Sequence, residues 1–279
     1  MNIEFTKLHG LGNDYLFIED AKHRIDDPAE LSRKMSHRHL GAGADGIILI
    51  LPGQKGGEFA MRIFNADGSE AETCGNGIRC FAKYVYERKM TDKTDFVIET
   101  LGGPNRVTLT VDNGVVTRVR SNMGIPRFDR AEIPMIGGPG RVIEEDLDVD
   151  GTIMKVTCAN VGNPHAVFFV EDATAVPLAQ IGPKIECHPK FPKRTNVEFV
   201  TVKDRQNIVM RIWERGSGIT MASGSGSCGS ALASMITNRV DRKVNVHLVY
   251  GVLTIEWAED GFVYQEGPAT EAYSGVWKG

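Results

Sequence analysis

Residues 65–80 read Asn65-Ala66-Asp67-Gly68-Ser69-Glu70-Ala71-Glu72-Thr73-Cys74-Gly75-Asn76-Gly77-Ile78-Arg79-Cys80. A strand-like run at 59–64 leads in. A helix-like run at 78–89 leads out, with Ile78, Phe81, Ala82, Val85 and Tyr86 at the spacing of one helical face. The sequence thus sets the Cys74 thiol at the mouth of a helix, among backbone N–H groups that have no partner inside it. Those donors and the positive end of the helix dipole favour anions. They also favour thiolate over thiol, which makes a cysteine reactive near neutral pH. Such a site holds a carboxylate and presents a base beside it.

A second stretch has the same form. Residues 209–213 read as a strand, 214–221 as a loop and 229–238 as a helix, with Ser223-Gly224-Ser225-Gly226 at the junction. Cys74-Gly75-Asn76-Gly77 aligns with this tetrapeptide. Asn65 precedes Cys74 by the same nine residues that separate Glu214 from Ser223. The chain reads as two copies of one unit, each with a small nucleophilic side chain at a helix start. Two such groups facing each other make a two-base proton-transfer site. The second group here is a hydroxyl.

Composition narrows the function classes. The 279 residues, 42% hydrophobic and 24% charged, fit a globular protein of one large or two ordinary domains. A net charge of −4 argues against a general nucleic-acid surface, which would be basic. No apolar run approaches the ~20 residues of a membrane helix. The start, Met1-Asn2-Ile3-Glu4-Phe5, lacks the pattern of a signal peptide, so a cytoplasmic location is expected. The five cysteines are odd in number and sparse, which disfavours a disulfide framework, and no Cys-x-x-Cys pair offers zinc spacing. No metal site or cofactor is expected. Gly41-Ala42-Gly43-Ala44-Asp45-Gly46 superficially fits a dinucleotide fingerprint, but it precedes a strand instead of following one.

In chain order, strands are expected at 4–7, 15–18, 46–51 and 95–100, and a helix at 28–38. Asp112-Asn113-Gly114 marks a hairpin between 105–111 and 115–120. Residues 129–150, rich in Gly and Pro, read as the crossing into the second unit. Strands follow at 155–159, 166–170, 196–200, 208–213, 244–248 and 251–257. The tail, 262–279, is placed back in the first unit as an edge strand. Only two helices look apolar enough to be central. The fold class is therefore α/β (α+β), two mixed units each with a sheet wrapped on one helix. The N-terminal domain, 1–121 plus 268–279, carries Cys74, and the C-terminal domain, 122–267, carries Ser223. Asn13, in a polar turn, reads on residue type alone more simply as a turn-stabilising residue than as a ligand. His165 reads more simply as a hydrogen-bonded structural residue than as a catalyst. Cys80, Cys158, Cys187 and Cys228 are read as buried or half-buried.

Seven segments carry a family resemblance from end to end. They are Lys7-Leu8-His9-Gly10-Leu11-Gly12-Asn13-Asp14, Gly43-Ala44-Asp45-Gly46, Asn65-Ala66-Asp67-Gly68-Ser69, Cys74-Gly75-Asn76-Gly77, Gly162-Asn163-Pro164-His165, Arg194-Thr195-Asn196 and Trp213-Glu214-Arg215-Gly216. On these the chain resembles the diaminopimelate epimerases, which interconvert LL- and meso-diaminopimelate without pyridoxal phosphate. The resemblance implies two pseudo-symmetric domains, each a barrel-like sheet around a central helix, with the active site between them. In that family one cysteine thiolate removes the α-proton and a second thiol returns a proton to the far face. It implies Cys74 and Ser223 as the catalytic pair, with Gly75 and Asn76 donating N–H groups on one side and Gly224 and Ser225 on the other. Asn13, Asn65, Asn163, Asn196, Glu214 and Arg215 then hold the substrate, Arg215 at the distal carboxylate. The only partner implied is the small amino acid, with no nucleic acid and no membrane, and the quaternary state implied is a homodimer.

The chain departs from the family pattern at the second catalytic position. The pattern usually runs Gly-Glu-Thr-x-Ala-Cys-Gly-Thr-Gly; here it is Gly218-Ile219-Thr220-Met221-Ala222-Ser223-Gly224-Ser225-Gly226. Three readings stand: a natural Cys/Ser enzyme of unchanged reaction, a racemase or epimerase of another amino acid, and an inactive or binding-only homologue, natural or engineered. Ile219 and Ser225 are further changes that a single engineered substitution would not bring, which favours natural variation.

Overall fold

The chain forms eighteen strands and four α-helices among the described residues, 2–279, of a computed structural model. In order these are β1 (Asn2–Gly10), β2 (Asn13–Glu19), α1 (Pro28–Ser36), β3 (Gly46–Pro52), β4 (Phe59–Asn65), β5 (Glu70–Ala71), α2 (Gly75–Glu87), β6 (Asp95–Thr100), β7 (Gly103–Asp112) and β8 (Val115–Asn122). There follow β9 (Glu145–Val149), β10 (Thr152–Asn160), β11 (Pro164–Phe169), α3 (Leu178–Glu186), β12 (Asn196–Asp204), β13 (Asn207–Glu214), β14 (Gly218–Ile219), α4 (Gly224–Ile236), β15 (Lys243–Leu248), β16 (Gly251–Trp257), β17 (Val263–Gly267) and β18 (Thr270–Lys278). A short 3-10 turn, Ala173–Ala175, precedes α3. Among the described residues no helix is long and apolar enough to cross a membrane.

Two compact units result, one running to Asn122 and completed by Glu266–Gly279, the other Met123–Gln265. The element order β-β-α-β-β-β-α-β-β occurs twice, and the pairing rules repeat with it. β1 and β2 are antiparallel, β2 and β3 parallel, β3 and β4 antiparallel, and β4 pairs β6 in parallel. In the second unit β10 and β11 are antiparallel, β11 and β12 parallel, β12 and β13 antiparallel, and β13 pairs β15 in parallel. β18 adds to β1 antiparallel, as β9 adds to β10.

In each unit the strands wrap on one helix, the one that is buried on nearly all sides. Helix α2 buries Ile78, Phe81, Ala82 and Val85 completely against β1, β2, β7 and β8. Full burial of a side chain such as Phe81 contributes about 1.5–3 kcal/mol. Helix α4 buries every residue from Gly226 to Ser234 and touches β10, β11, β12, β13, β15 and β16. Its small residues allow this close approach. At Gly229, for example, a Cβ would sit 2.6 Å from the His165 ring. The outer face of the first sheet is covered by α1, whose Met35 packs with Leu16, Ile47, Leu49 and Phe64.

Several expected boundaries shift. Both central helices begin earlier than the apolar spacing indicates, at Gly75 and Gly224 instead of 78 and 229. The glycine-rich tetrapeptides are themselves the first helical turns, stabilised by their caps and not by propensity. Helix α1 ends at Ser36, before the expected 38. Helix α3 was not expected, since Pro183 inside it reads as a breaker. It forms because it packs on β13, where Gly182 lies against the Trp213 ring. The 129–150 crossing contains β9. Cys187, expected to be buried or half-buried, is exposed at the C-terminal cap of α3; Cys80, Cys158 and Cys228 are buried. Met1 lies outside the described residues.

The Gly182 contact gives a packing test. A Cβ there would lie 2.6 Å from ring atoms of Trp213, and an indole on a central strand has little room to move. Gly182→Ala should destabilise the protein by about 1–3 kcal/mol, read as a lower thermal midpoint. An unchanged midpoint would show that α3 is loosely seated.

Candidate active site

In the first unit the site is built where β4 ends and α2 begins. Cys74 is the N-cap of α2, with extended backbone, and its Sγ accepts the Gly77 N–H at 3.3 Å. Gly77 must lack a side chain, since a Cβ would press on Ile48 at 2.9 Å and approach the Cys74 sulfur to 3.6 Å. The Cys74 thiol faces Asn13 Oδ1 at 3.5 Å, and Asn76 Nδ2 donates to the same oxygen at 3.2 Å. The structure therefore joins four of the expected residues, Asn13, Cys74, Gly75 and Asn76, in one cluster. Asn65 stands apart from these hydrogen bonds and donates to Ser69 Oγ at 3.0 Å.

Three further groups fix this cluster, none of them given a role by the sequence reading, although Asp45 and Arg79 lie within the motif stretches. Arg79, fully buried, donates to Asn76 Oδ1 at 2.7 Å and to the Gly75 carbonyl at 3.3 Å. It puts a fixed positive charge under the helix start. Asp45 Oδ2 accepts from Asn13 Nδ2 at 2.8 Å, and Arg38 bridges Asp45 to the buried Asp14. Burial tends to raise the Asp14 carboxyl, but Arg38 and Lys7 outweigh it and hold Asp14 below the usual carboxylate range. The third group is Tyr15. Two residues after Asn13 on β2, it faces the same way, is buried, and interacts electrostatically with Cys74. Burial first, and the Cys74 charge second, push its phenol well above the usual range, so it stays a proton donor.

The second unit repeats the arrangement with other atoms. Ser223 is the N-cap of α4, buried, and its Oγ accepts the Gly226 N–H at 3.2 Å. Gly226 is as constrained as Gly77, with a Cβ there 3.1 Å from Ser223 Oγ. The hydroxyl donates to Glu214 Oε2 at 3.0 Å, and Thr220 Oγ1 donates to the other oxygen of that carboxylate. Asn163 Nδ2 donates to Ser225 Oγ at 3.3 Å. His165 holds Asn163 from behind, Nε2 to Oδ1 at 2.8 Å, and is itself held by Glu198 at 2.6 Å. Asn196 bonds the backbone through both amide atoms, donating to the Pro164 carbonyl at 2.9 Å and accepting the Arg215 N–H at 2.9 Å. The exposed Arg215 guanidinium is lightly tethered, with Nη1 on the Lys193 carbonyl at 3.2 Å. Gly224 packs against Gln265.

Each half can bind an anion at a helix start beside an acid–base group. Among the described residues no cluster of three or more His, Cys, Asp or Glu side chains is arranged to hold a metal ion.

The diaminopimelate epimerase family model matches residues 5–128 and 157–271. The chain is 48% identical over 275 residues to the diaminopimelate epimerase of Moorella thermoacetica, covering 98% of each chain. It is 50% identical to that of Pelotomaculum thermopropionicum, again over 98% of each. The chain belongs to the diaminopimelate epimerase family. Its fold extends to more distant proteins: a Bacillus anthracis phenazine biosynthesis protein of the PhzF family superposes with a TM-score of 0.74 at 15% identity, covering 100% of this chain and 99% of that one.

The Tyr15 hydroxyl should matter to the reactivity of Cys74. The Tyr15 phenol and the Cys74 thiol interact electrostatically, so removing the hydroxyl removes a polar group that can stabilise the thiolate. Tyr15→Phe should slow alkylation of Cys74 by iodoacetamide at pH 7 about 3- to 10-fold, followed by peptide mass spectrometry to separate it from the exposed Cys187. An unchanged rate would remove Tyr15 from the site.

Proposed function

We propose that this protein epimerises LL-2,6-diaminopimelate to meso-diaminopimelate by two-base proton transfer, as an isomerase of lysine and peptidoglycan precursor biosynthesis. The observation that carries the reading is the twofold use of one device, a nucleophilic N-cap above a glycine at the third helical position. Cys74 thiolate takes the α-proton from one face. Ser223 delivers a proton to the other face while Glu214, if protonated, replaces it through the 3.0 Å hydrogen bond. In the reverse direction Ser223 Oγ takes the α-proton as its own passes to the Glu214 carboxylate, and the Cys74 thiol donates. The electron pair of the broken C–H bond rests on the α-carbon and its carboxylate. The N–H groups of Gly75, Asn76, Gly224 and Ser225 would stabilise that charge as preorganised donors.

Serine is a far weaker acid than cysteine, so Glu214 is what makes the hydroxyl usable. Asn13, Asn65, Asn163, Asn196 and Arg215 complete the substrate set, Arg215 meeting the distal carboxylate. Support for Arg215 is its exposed, lightly tethered guanidinium. The family reading further supplies independence from pyridoxal phosphate, a homodimer and a cytoplasmic location.

Incubation with LL- or meso-diaminopimelate in D2O should place deuterium at the α-carbon and interconvert the two, and Cys74→Ala should abolish both. Binding without exchange would identify a silent binding homologue instead. Arg215→Met should raise KM for diaminopimelate about 10- to 100-fold, the cost of an unpaired charge–charge hydrogen bond. An unchanged KM would point to a monocarboxylate amino acid as the substrate.

A further inference from the structure

A buried titratable pair in the second unit takes no part in the proton transfer proposed above. His165 and Glu198 are both fully buried, with Nδ1 and Oε1 2.6 Å apart. β11 and β12 run parallel in a register that sets Val167 opposite Glu198 and His165 opposite Asn196. The ring cannot swing, because the α4 backbone closes on it at Gly229, where a Cβ would meet His165 Cγ at 2.6 Å and Cβ at 2.7 Å. Burial raises the Glu198 carboxyl above its usual range, with Glu214 adding to the effect and His165 opposing it. Its other oxygen, Oε2, has no hydrogen-bond partner. A buried carboxyl with one oxygen orphaned is costly, so its single strong contact, with His165, is what it contributes.

The consequence appears one residue beyond the ring. With the Asn163 Oδ1, which only accepts, toward the ring at 2.8 Å, His165 Nε2 is the donor in this arrangement. That turns the amide oxygen inward and the NH2 outward, where it meets Ser225 Oγ at 3.3 Å at the start of α4. We propose that His165 and Glu198 are a positioning pair that locks the Asn163 amide with its NH2 toward an amino-acid carboxylate bound at the start of α4. Flipped, Asn163 would present an oxygen to that carboxylate and repel it. This rests on the function proposed above; His165 itself touches no reacting atom.

Two measurements test it. In steady-state kinetics with LL-diaminopimelate, His165→Phe should raise KM about tenfold, the cost of one misdirected hydrogen bond to a charge, with kcat within about threefold. In an Asn163→Ala background the same change should add nothing, since the pair acts through that amide. Effects that multiply, or a loss confined to kcat, would overturn the proposal. The second measurement needs no turnover and no histidine variant. In the unsubstituted protein labelled with 15N-histidine, the His165 resonance, assigned by its change in Asn163→Ala, should show a protonated Nε2. A neutral ring protonated only at Nδ1 would overturn the proposal. Absence of epimerisation in the unsubstituted protein would instead refute the proposed function and leave the tautomer result standing.

Discussion

The unpaired N–H groups at the start of a helix are the constraint from which the rest follows. They are unsatisfied by geometry, so each helix start needs an acceptor. Here Cys74 and Ser223 are the acceptors, binding the N–H of Gly77 and Gly226. A side chain that caps a helix is held to the end of the dipole. The same bond that stabilises the fold therefore holds a nucleophilic side chain at the end of the helix that favours an anion. The glycines are the structural cost, being weak helix formers whose absent side chains leave room for the cap and for Ile48 or Ile212 behind it. Burial of α2 and α4 within their sheets offsets that cost.

The two halves differ in how they make their nucleophile competent. A thiol has an ordinary pKa near 8.5, and the Gly77 N–H that Cys74 accepts suits an anionic sulfur. A serine hydroxyl cannot be brought into that range by a few hydrogen bonds, each worth about 1–3 kcal/mol. The second unit meets this with a carboxylate, since Glu214 takes the Ser223 hydrogen bond at 3.0 Å. The residue nine positions before the cap is Asn65 in the first unit, bonded to Ser69. The repeat is thus conserved in backbone and varied in chemistry.

Much of the fold could be read from residues. Strand alternation, the Asp112-Asn113-Gly114 turn and the nine-residue spacing before each cap revealed the repeated unit. Helix α3 stayed hidden because Pro183 and Gly182 read locally as breakers, and only the Trp213 surface makes a helix there worthwhile. The helix starts were misread for a related reason: Gly75 and Gly224 have poor propensity, and a cap overrides it. At the candidate site, the motifs disclosed the capping residues and their neighbours. They gave no role to Tyr15 or Glu198, whose surroundings form only when distant strands pair, nor to Asp45 and Arg79, although Arg79 meets Asn76 and Gly75 on its own helix. Period-2 alternation along β2 does set Tyr15 on the face of Asn13, and that signal was present in the sequence.

The central claim is that Cys74 and Ser223 serve opposite faces of one α-carbon. It is tested most directly by α-proton exchange of each epimer separately in D2O with Ser223→Ala. The expected result is loss of epimerisation, with deuterium still entering the one epimer whose α-hydrogen faces Cys74. Undiminished epimerisation, or equal exchange of both epimers, would contradict it.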